Sequence, residues 1–183
     1  MENLILGLLI LSPMTGYELQ RFIRENLALI CSHSAGSIQT ALSKLEQAGY
    51  ITGAESTQGK RRKKTFSITE AGQSAFAEWV SRPMQAGKAK NMELSRLFFL
   101  GLAQPKARQA AIRDYIRQME EMCSTLEAIR QRFEQIQNAP LPPGQNWPDI
   151  LRFQAYTIEY GIAAAQFELD WYHRLLTELE EQP

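Results

Sequence analysis

The segment "GYITGAESTQGKRRKKTFSIT", residues 49–69, predicts a β-hairpin with a strongly basic tip. Two stretches of alternating residues, "YITGAEST" and "KKTFSIT", flank the polar turn "QGKRR". In the second stretch Phe66 and Ile68 fall on one face of the predicted strand, and the intervening residues fall on the other. Five consecutive cations, residues 60–64, follow Gly59 in a chain whose 20 basic and 20 acidic residues balance. Because like charges side by side repel, a partner of opposite charge is expected at this tip.

Three short helices are predicted before the hairpin, because apolar residues recur there at steps of three and four. Ser12-Pro13 ends the first helix, and Thr15-Gly16 begins the second. The third helix runs from Ser34, a good N-cap residue, to Ala48, and Gly49 is a natural stop. The apolar positions of the three helices are Leu4, Leu8, Leu11, Tyr17, Leu19, Phe22, Ile23, Ile38, Leu42 and Leu45.

A fourth helix is predicted directly after the hairpin, with Thr69 as its cap and with Phe76, Trp79 and Val80 buried. Three helices followed by a basic hairpin form a winged helix-turn-helix, in which the hairpin is the wing. The predicted fold class is therefore mainly α with a small β-hairpin: an N-terminal winged helix-turn-helix and a C-terminal domain of long helices.

The second half of the chain is predicted to be helical. After a break in composition at "RPMQAGKAKN", residues 82–91, "MELSRLFFLGLA" reads as a short apolar helix. A long helix follows from Pro105, and its apolar stripe spans more than three heptads. The stripe consists of Ile112, Tyr115, Ile116, Met119, Met122, Leu126, Ile129, Phe133 and Ile136. "NAPLPPGQNWP" ends this helix, and a last helix is predicted from about Asp149 to Glu180.

The two long helices predict a dimer. An isolated tail offers too few partners to cover both apolar stripes, so a second copy of the chain is expected to complete the packing. On the last helix, one side carries Phe153, Gly161, Ala164, Phe167, Trp171, Leu175 and Leu179. The predicted dimer contacts are Leu97, Phe98, Met119, Leu126, Phe133, Gly161, Phe167, Trp171 and Leu175. The predicted domains are a DNA-binding domain (1–83), a linker (84–91) and a helical dimerisation and effector domain (92–183).

The exposed face of the third helix carries short hydroxyl and amide side chains, which suit base edges and phosphates in a DNA major groove. By itself the basic run would equally fit a solvated loop or a targeting signal, but beside this helix it favours nucleic-acid binding. Cations would supply affinity by releasing counterions, and the polar helix face would read bases. The predicted DNA contacts are Tyr17, Ser34, Ser37, Gln39, Thr40, Ser43, Lys44, Lys60, Arg61, Arg62, Lys63 and Lys64.

Enzyme and metal chemistry find no support in the sequence. "GAESTQGK" resembles a phosphate-binding P-loop, but five residues separate its glycines where four are required, and Arg61 stands where Ser or Thr should. His33 follows Cys31 by two positions without further ligands nearby, so no metal site is predicted. No Ser/His/Asp set, carboxylate pair or glycine-rich nucleotide loop has a suitable spacing, so no catalytic site and no cofactor are expected.

Composition and cysteine usage predict a cytoplasmic protein. With 44% hydrophobic and 22% charged residues, the chain has the composition of an ordinary soluble globular protein. Cys31 and Cys123 lack CxxC spacing, which suits a reducing compartment. The apolar run from Leu4 to Leu11 follows Glu2 and is too short for a membrane span, so neither a signal peptide nor membrane contact is expected.

The chain contains three blocks, residues 4–19, 34–51 and 59–72: "LILGLLILSPMTGYEL", "SAGSIQTALSKLEQAGYI" and "GKRRKKTFSITEAG". They resemble the three signature segments of PadR-family transcriptional regulators. In that family the first segment leads into the second helix, the second begins the recognition helix, and the third runs from the basic wing into the next helix. The tail, "MELSRLFFLGLA" and "TIEYGIAAAQFELDWYHRLL", is similar to the longer-tailed subgroup, whose C-terminal helices interlock two subunits. The family commonly has His where Thr15 stands and Tyr-Pro where Gln39-Thr40 stand, so no operator sequence can be carried over.

From the residues and the resemblance we predict a homodimeric transcriptional regulator, a repressor that binds double-stranded DNA at an inverted repeat. The resemblance implies release by a small molecule, often a phenolic acid or another aromatic compound. Aromatic side chains of the tail either line a groove for such a ligand or simply pack the dimer core. They include Phe98, Phe99, Trp147, Tyr156, Tyr160 and Trp171. The alternative is a winged-helix adapter that binds protein without an operator, but an adapter has no use for five cations at its wing.

Overall fold

The computed structural model describes residues 1–27, 34–58, 61–84 and 92–181. The chain divides into two units, residues 1–85 and 86–183. The division falls inside the predicted linker, residues 84–91, and all of that linker except Met84 lies outside the described residues.

Within the described residues, the N-terminal unit contains four helices and a three-stranded antiparallel sheet. Its elements are α1 (Glu2–Leu11), β1 (Met14–Thr15), α2 (Gly16–Asn26), α3 (Ala35–Gln47), β2 (Ile51–Gln58), β3 (Arg61–Ile68) and α4 (Glu70–Val80). The strand order is β1-β3-β2, so β3 is central and pairs with both neighbours. The strand β1 was not predicted, because two residues are too few for an alternating pattern to show in a sequence.

Side-chain caps fix where the helices of this unit begin. The Thr15 hydroxyl accepts a hydrogen bond from the backbone N–H of Glu18, and the Glu18 carboxylate accepts one from the Thr15 N–H, which makes a capping box. Ser34 and Thr69 cap α3 and α4, as predicted. Gly49, just beyond α3, has a φ of +73°, a conformation that favours glycine and ends the helix where it was predicted to end.

One apolar core joins α1, α2, α3 and the sheet. The predicted stripe of α3 is confirmed, since Ile38, Leu42 and Leu45 are almost completely buried. The prediction of a buried Trp79 and Val80 is wrong: in this unit their side chains are 44% and 60% exposed. The ring of Trp79 packs against Phe76, with 5.7 Å between ring centroids, and Phe76 rather than Trp79 contacts the core.

The hairpin of β2 and β3, called the wing below, is more regular than its sequence predicted. Its ladder runs from the pair Ile51–Ile68 to the pair Gln58–Arg61. The predicted five-residue turn is therefore wrong in extent, because Arg61 and Arg62 belong to β3 and continue the strand pairing. Lys60, which the sequence placed in that turn, lies outside the described residues.

The C-terminal unit is a helical hairpin preceded by a short helix. Its elements are α5 (Met92–Phe99), a 3₁₀ turn (Leu100–Leu102), α6 (Pro105–Gln137) and α7 (Trp147–Glu181). The helices α6 and α7 are antiparallel, since Gln109 near the start of α6 donates a hydrogen bond to the carbonyl of Leu179 near the end of α7. Two apolar clusters hold them together, one around Ile112, Ile116 and Tyr172 and one around Leu126, Ile129 and Ala165.

The face of α7 that packs on α6 differs from the side singled out in the sequence. Ala165 and Tyr172 are its buried residues, supported by Ile158, Ile162 and Leu169. Of the predicted set, Leu175 and Leu179 pack against α6, whereas Phe153, Phe167 and Trp171 remain exposed. The reason is that α7 has two apolar faces, and sequence periodicity does not tell which of them meets α6.

Candidate nucleic-acid interface

The helix α3 presents a polar face that matches the sequence prediction. Gln39, Thr40 and Ser43 are exposed on it, opposite the buried stripe. Ser34 and Ser37, at its start, bond to each other: the Ser37 hydroxyl donates to the Ser34 carbonyl oxygen at 2.9 Å. These two serines are therefore occupied in shaping the helix end, which leaves the three exposed side chains as the free hydrogen-bonding groups of this face.

Two further predicted contacts are Tyr17 on α2 and Lys44 on α3. Tyr17, in the first turn of α2, is 70% exposed, so unlike Leu19 and Ile23 it stays outside the core, and its ring is available to a partner. The Lys44 ammonium lies 3.5 Å from the Glu2 carboxylate of α1, with both side chains largely exposed. An exposed pair of this kind is weak and opens readily.

Lys63, on the wing strand β3, contacts α2 through Glu18. Its ammonium donates to the Glu18 carboxylate at 3.3 Å. The same carboxylate accepts hydrogen bonds from the Thr15 backbone N–H at 2.7 Å and from the Thr15 hydroxyl at 2.8 Å. These donors, the Thr15 backbone N–H above all and Lys63 after the hydroxyl, lower the pKa of Glu18 to about 2. Glu18 is therefore a fixed negative charge beside the wing.

Lys64, the next residue, contacts α3 through Glu46. Its ammonium lies 2.8 Å from the Glu46 carboxylate and 5.1 Å from the centroid of the Phe66 ring. Gly53, which faces Phe66 across the ladder, makes room for this side chain, because a Cβ at Gly53 would lie 2.1 Å from the Lys64 Cε. The wing and the last turn of α3 are thus directly connected.

These ion pairs show that part of the basic run is neutralised by carboxylates of the same chain. Both of its cations whose side chains are described, Lys63 and Lys64, already face carboxylates of the same chain. Arg61 and Arg62 extend the strand toward the tip, where their paired residues are Gln58 and Thr57. Only the remaining cations therefore need a partner outside the chain, and the sequence of the basic run alone does not predict this.

The predicted dimer contacts fall into two groups. Leu126 is 1% exposed within a single chain, and Met119 and Leu175 pack in the same intrachain clusters, so little of these side chains is left for a second copy. Phe98 and Phe167 are 82% and 64% exposed. The remaining residues of the prediction, all partly or largely accessible, are Leu97, Phe133, Gly161 and Trp171.

The exposed aromatic face of α7 has a regular spacing that the sequence analysis only partly recognised. Phe153, Tyr156, Tyr160 and Phe167 are 64%, 53%, 77% and 64% exposed. Their separations of three, four and seven residues are those of a coiled-coil seam. We call these four residues the aromatic seam. The spacing is visible in the sequence, but the sequence analysis assigned Phe153 and Phe167 to the same side of the helix as Leu175 and Leu179, which pack on α6.

The C-terminal unit also has a cavity of about 250 Å³ among α5, α6 and α7. Its lining includes Leu97, Leu100, Tyr115 and Tyr172, together with the charged side chains of Glu93, Arg96 and Asp114. The Tyr115 hydroxyl donates to Glu168 at 3.0 Å, and burial, with this bond, raises the pKa of Tyr115. The aromatic residues proposed from the sequence as ligand groups are not among its lining residues.

Other predictions concern chemistry rather than binding. Cys123 packs against the cluster around Leu126, and His173 is exposed, whereas Cys31 and His33 lie outside the described residues. Among the residues that the structure describes, no group of three or more His, Cys, Asp or Glu side chains could hold a metal ion. Nor does any helix in the described part of the chain combine the length and apolar content that crossing a membrane requires.

Solved structures resemble the chain over nearly its whole length. The smu.1604c protein of Streptococcus mutans UA159 is 26% identical with a TM-score of 0.81, and the match covers 96% of this chain and 98% of that one. Bacillus subtilis PadR in complex with operator DNA is 21% identical with a TM-score of 0.76, covering 97% and 98%. Its complex with p-coumaric acid has a TM-score of 0.72 at 20% identity, covering 98% of each chain.

Sequence comparison gives the family directly. The negative transcriptional regulator PadR of Bacillus subtilis (strain 168) is 24% identical over 155 residues, which are 84% of each chain. Residues 5–78 match the transcriptional regulator PadR-like family, and residues 89–180 match the family described as virulence activator alpha C-term. The chain, with its winged helix-turn-helix and long C-terminal helices, therefore belongs to the PadR-like family of transcriptional regulators.

Proposed function

We propose that the protein is a homodimeric repressor that binds an inverted-repeat operator, with α3 of each copy in a major groove and each wing on the flanking DNA backbone. Its family consists of transcriptional regulators rather than enzymes, in agreement with the prediction that the chain is not an enzyme. The single observation that carries the proposal is that the polar helix α3 and the basic wing are neighbours, joined by Lys64 and Glu46. The Bacillus subtilis relative crystallised with operator DNA supports it.

In this proposal, side chains on the exposed face of α3 recognise the DNA bases. Gln39 has an amide that can donate to and accept from a base edge at once, and Thr40 and Ser43 add hydroxyl groups one turn apart. Arg61 and Arg62, with Lys60, provide the cations for phosphate contacts at the wing. Three cations per subunit would neutralise about six phosphates in a dimer, so log affinity should fall with log salt at a slope near −5.

The aromatic seam of α7 supports dimerisation. Four exposed aromatic side chains in one stripe form an apolar surface that a soluble protein normally covers. Exposed apolar residues of α5 and the turn after it, Leu94, Phe98, Phe99 and Leu102, enlarge the apolar surface of this unit. A second copy is the partner that a regulator of palindromic DNA requires, because the two-fold axis of the dimer matches that of the operator.

A small aromatic effector is the proposed signal, and Bacillus subtilis PadR crystallised with p-coumaric acid is the observation behind it. Such a ligand releases DNA only if it binds the DNA-incompetent arrangement of the dimer more tightly than the competent one. The cavity beside Tyr115 and Tyr172 is a candidate site in the described part of the C-terminal unit, since both aromatic rings and charged side chains line it.

The decisive experiment is selection of bound duplexes from a random DNA pool, followed by titration of the enriched sequence. We expect an inverted repeat whose half-sites are about one helical turn apart. The variant Gln39→Ala should relax the preference at one or two positions of each half-site, whereas Gln166→Ala, in the C-terminal unit, should leave the selected sequence unchanged. Failure to enrich any sequence would favour the adapter function over operator binding.

A further inference from the structure

Lys63 and Lys64 occupy a special place in the wing. The short strand β1 pairs with β3 at Thr65 and Phe66, and its pairing goes no further toward the tip. Lys64 and Lys63 are therefore the first two residues of β3 beyond the three-stranded part of the sheet. From there outward the wing is a ribbon of two strands, and such a ribbon by itself is weakly held and free to twist.

Successive residues of a strand point to opposite faces, and here the lysine on each face contacts a helix of the DNA-binding unit. Lys63 reaches Glu18 of α2 on one face, and Lys64 reaches Glu46 of α3 on the other. The two ion pairs thus hold the base of the ribbon between the two helices of the helix-turn-helix.

The carboxylate that pairs with Lys63 is itself held in place, and the chain leaves room for the side chain of Lys64. Glu18 belongs to the capping box of α2 and is bonded to Thr15, the residue with which β1 pairs to β3. Glu46 lies in the last turn of α3, and Gly53 leaves the space that the Lys64 side chain fills. A lysine whose only role was to bind phosphate would need neither a carboxylate on a neighbouring helix nor a glycine that makes room for its side chain.

We propose that Lys63 and Lys64 are positioning residues rather than phosphate ligands: their ion pairs set the direction of the wing relative to α2 and α3. The phosphate contacts then come from Arg61 and Arg62, the residues of β3 nearer the tip. This inference rests on the proposed DNA-binding function. It assigns Glu46 and Glu18, which carry the wrong charge for DNA, a favourable part in operator binding.

The direction in which Glu46→Gln changes operator affinity distinguishes a positioning role of Lys64 from a phosphate-binding role. If Lys64 binds phosphate, Glu46 competes with DNA for it, and Glu46→Gln should strengthen binding. If Lys64 positions the wing, Glu46→Gln loosens the ribbon, and operator affinity should fall by about 3- to 10-fold while binding to random duplex DNA stays constant. Glu55→Gln is the matched control, since Glu55 is exposed on β2 opposite Lys64 and carries the same charge without the contact to α3.

A second series uses the salt dependence of operator binding. Lys64→Met should lower affinity with an unchanged slope of log affinity against log salt, and Lys64→Arg, which can keep the pair, should restore most of the affinity. Arg62→Gln should instead flatten the slope by about two in a dimer, since one phosphate contact per subunit is lost. Thermal melting of each variant verifies that it is folded.

Two results would overturn the proposal: an operator affinity of Glu46→Gln equal to or above that of the wild type, or a flattened salt slope for Lys64→Met. If the wild-type protein selects no operator in the first place, the failure lies with the proposed function and not with the roles of the lysines.

Discussion

Gly72, in the first turn of α4, lies directly against the backbone carbonyl of Tyr50, so that a Cβ at Gly72 would be only 2.1 Å from that oxygen. The contact joins the start of α4 to the connection between α3 and the wing. It is reinforced by Thr69, whose N–H donates to the same Tyr50 oxygen at 3.0 Å and whose hydroxyl donates to the Gly49 carbonyl at 2.8 Å.

We expect Gly72→Ala to destabilise the N-terminal unit by about 1–3 kcal/mol, because the added methyl group must displace backbone rather than a flexible side chain. Gly36→Ala is the matched control: Gly36 is helical, and no atom lies within 4 Å of the position that the added methyl group would take. That substitution should stabilise the protein by about 0.5–1 kcal/mol. Denaturant unfolding measures both values, and equal effects of the two variants would contradict the close contact.

The depressed pKa of Glu18 predicts a specific acid sensitivity. Its carboxyl has an ordinary pKa of 4.5 and a folded-state pKa of about 2, so the folded protein holds the ionised form more strongly than the unfolded chain does. The resulting stabilisation is complete above pH 4.5 and is lost as the pH falls from 4.5 toward 2. Glu18→Gln keeps a capping side chain without this titration.

We therefore expect the free energy of unfolding of Glu18→Gln to lie below that of the wild type at pH 7 and to approach it as the pH is lowered through this window. Denaturant titrations at several pH values measure the difference. A gap that stays constant between pH 5 and pH 3 would show that the carboxylate of Glu18 gains nothing from Thr15 and Lys63.

The wing arginines are predicted to dominate the salt dependence of DNA binding. Replacing Arg61 and Arg62 by Ala removes about four phosphate contacts from a dimer, which should flatten the slope of log affinity against log salt by about 3.6. Affinity should fall for all sequences alike, because phosphate contacts carry no sequence information. Arg117→Ala, an exposed arginine on α6, controls for lost charge and should leave the slope as it is.

The aromatic seam predicts how assembly can be broken. The double variant Tyr160→Glu, Phe167→Glu places two charges in the centre of the proposed dimer surface. Sedimentation should therefore show a monomer, and that monomer should bind the inverted repeat weakly. His173→Glu adds a charge to another exposed position of α7 and should remain dimeric. A dimer that survives both seam substitutions would place the interface elsewhere.

The proposed effector is tested by a panel of phenolic and other aromatic acids. A ligand that binds the free protein should raise its melting temperature, and a coupling of about 1–3 kcal/mol should weaken operator affinity by about 5- to 150-fold. Tyr115→Phe and Tyr172→Phe then determine whether the cavity of the C-terminal unit is the site. Compounds that bind without any effect on DNA affinity would exclude the effector mechanism.

The sequence by itself determined the local elements of this protein. The caps at Ser34 and Thr69, the stop at Gly49 and the buried stripe of α3 follow from residue type and spacing, because caps and helical periodicity act over a few neighbouring residues. The three blocks quoted above were also enough to indicate the family, since they combine short motifs in a fixed order along the chain.

Tertiary structure decided what those elements meet. The partners of Lys63 and Lys64 are 45 and 18 residues away in the chain, so no local pattern marks them as paired cations. The same holds for α7, whose two apolar faces have the same helical period, and only its packing against α6 leaves the aromatic seam exposed. Contacts between distant segments depend on how the elements pack in three dimensions, and residue spacing along the chain does not encode that packing.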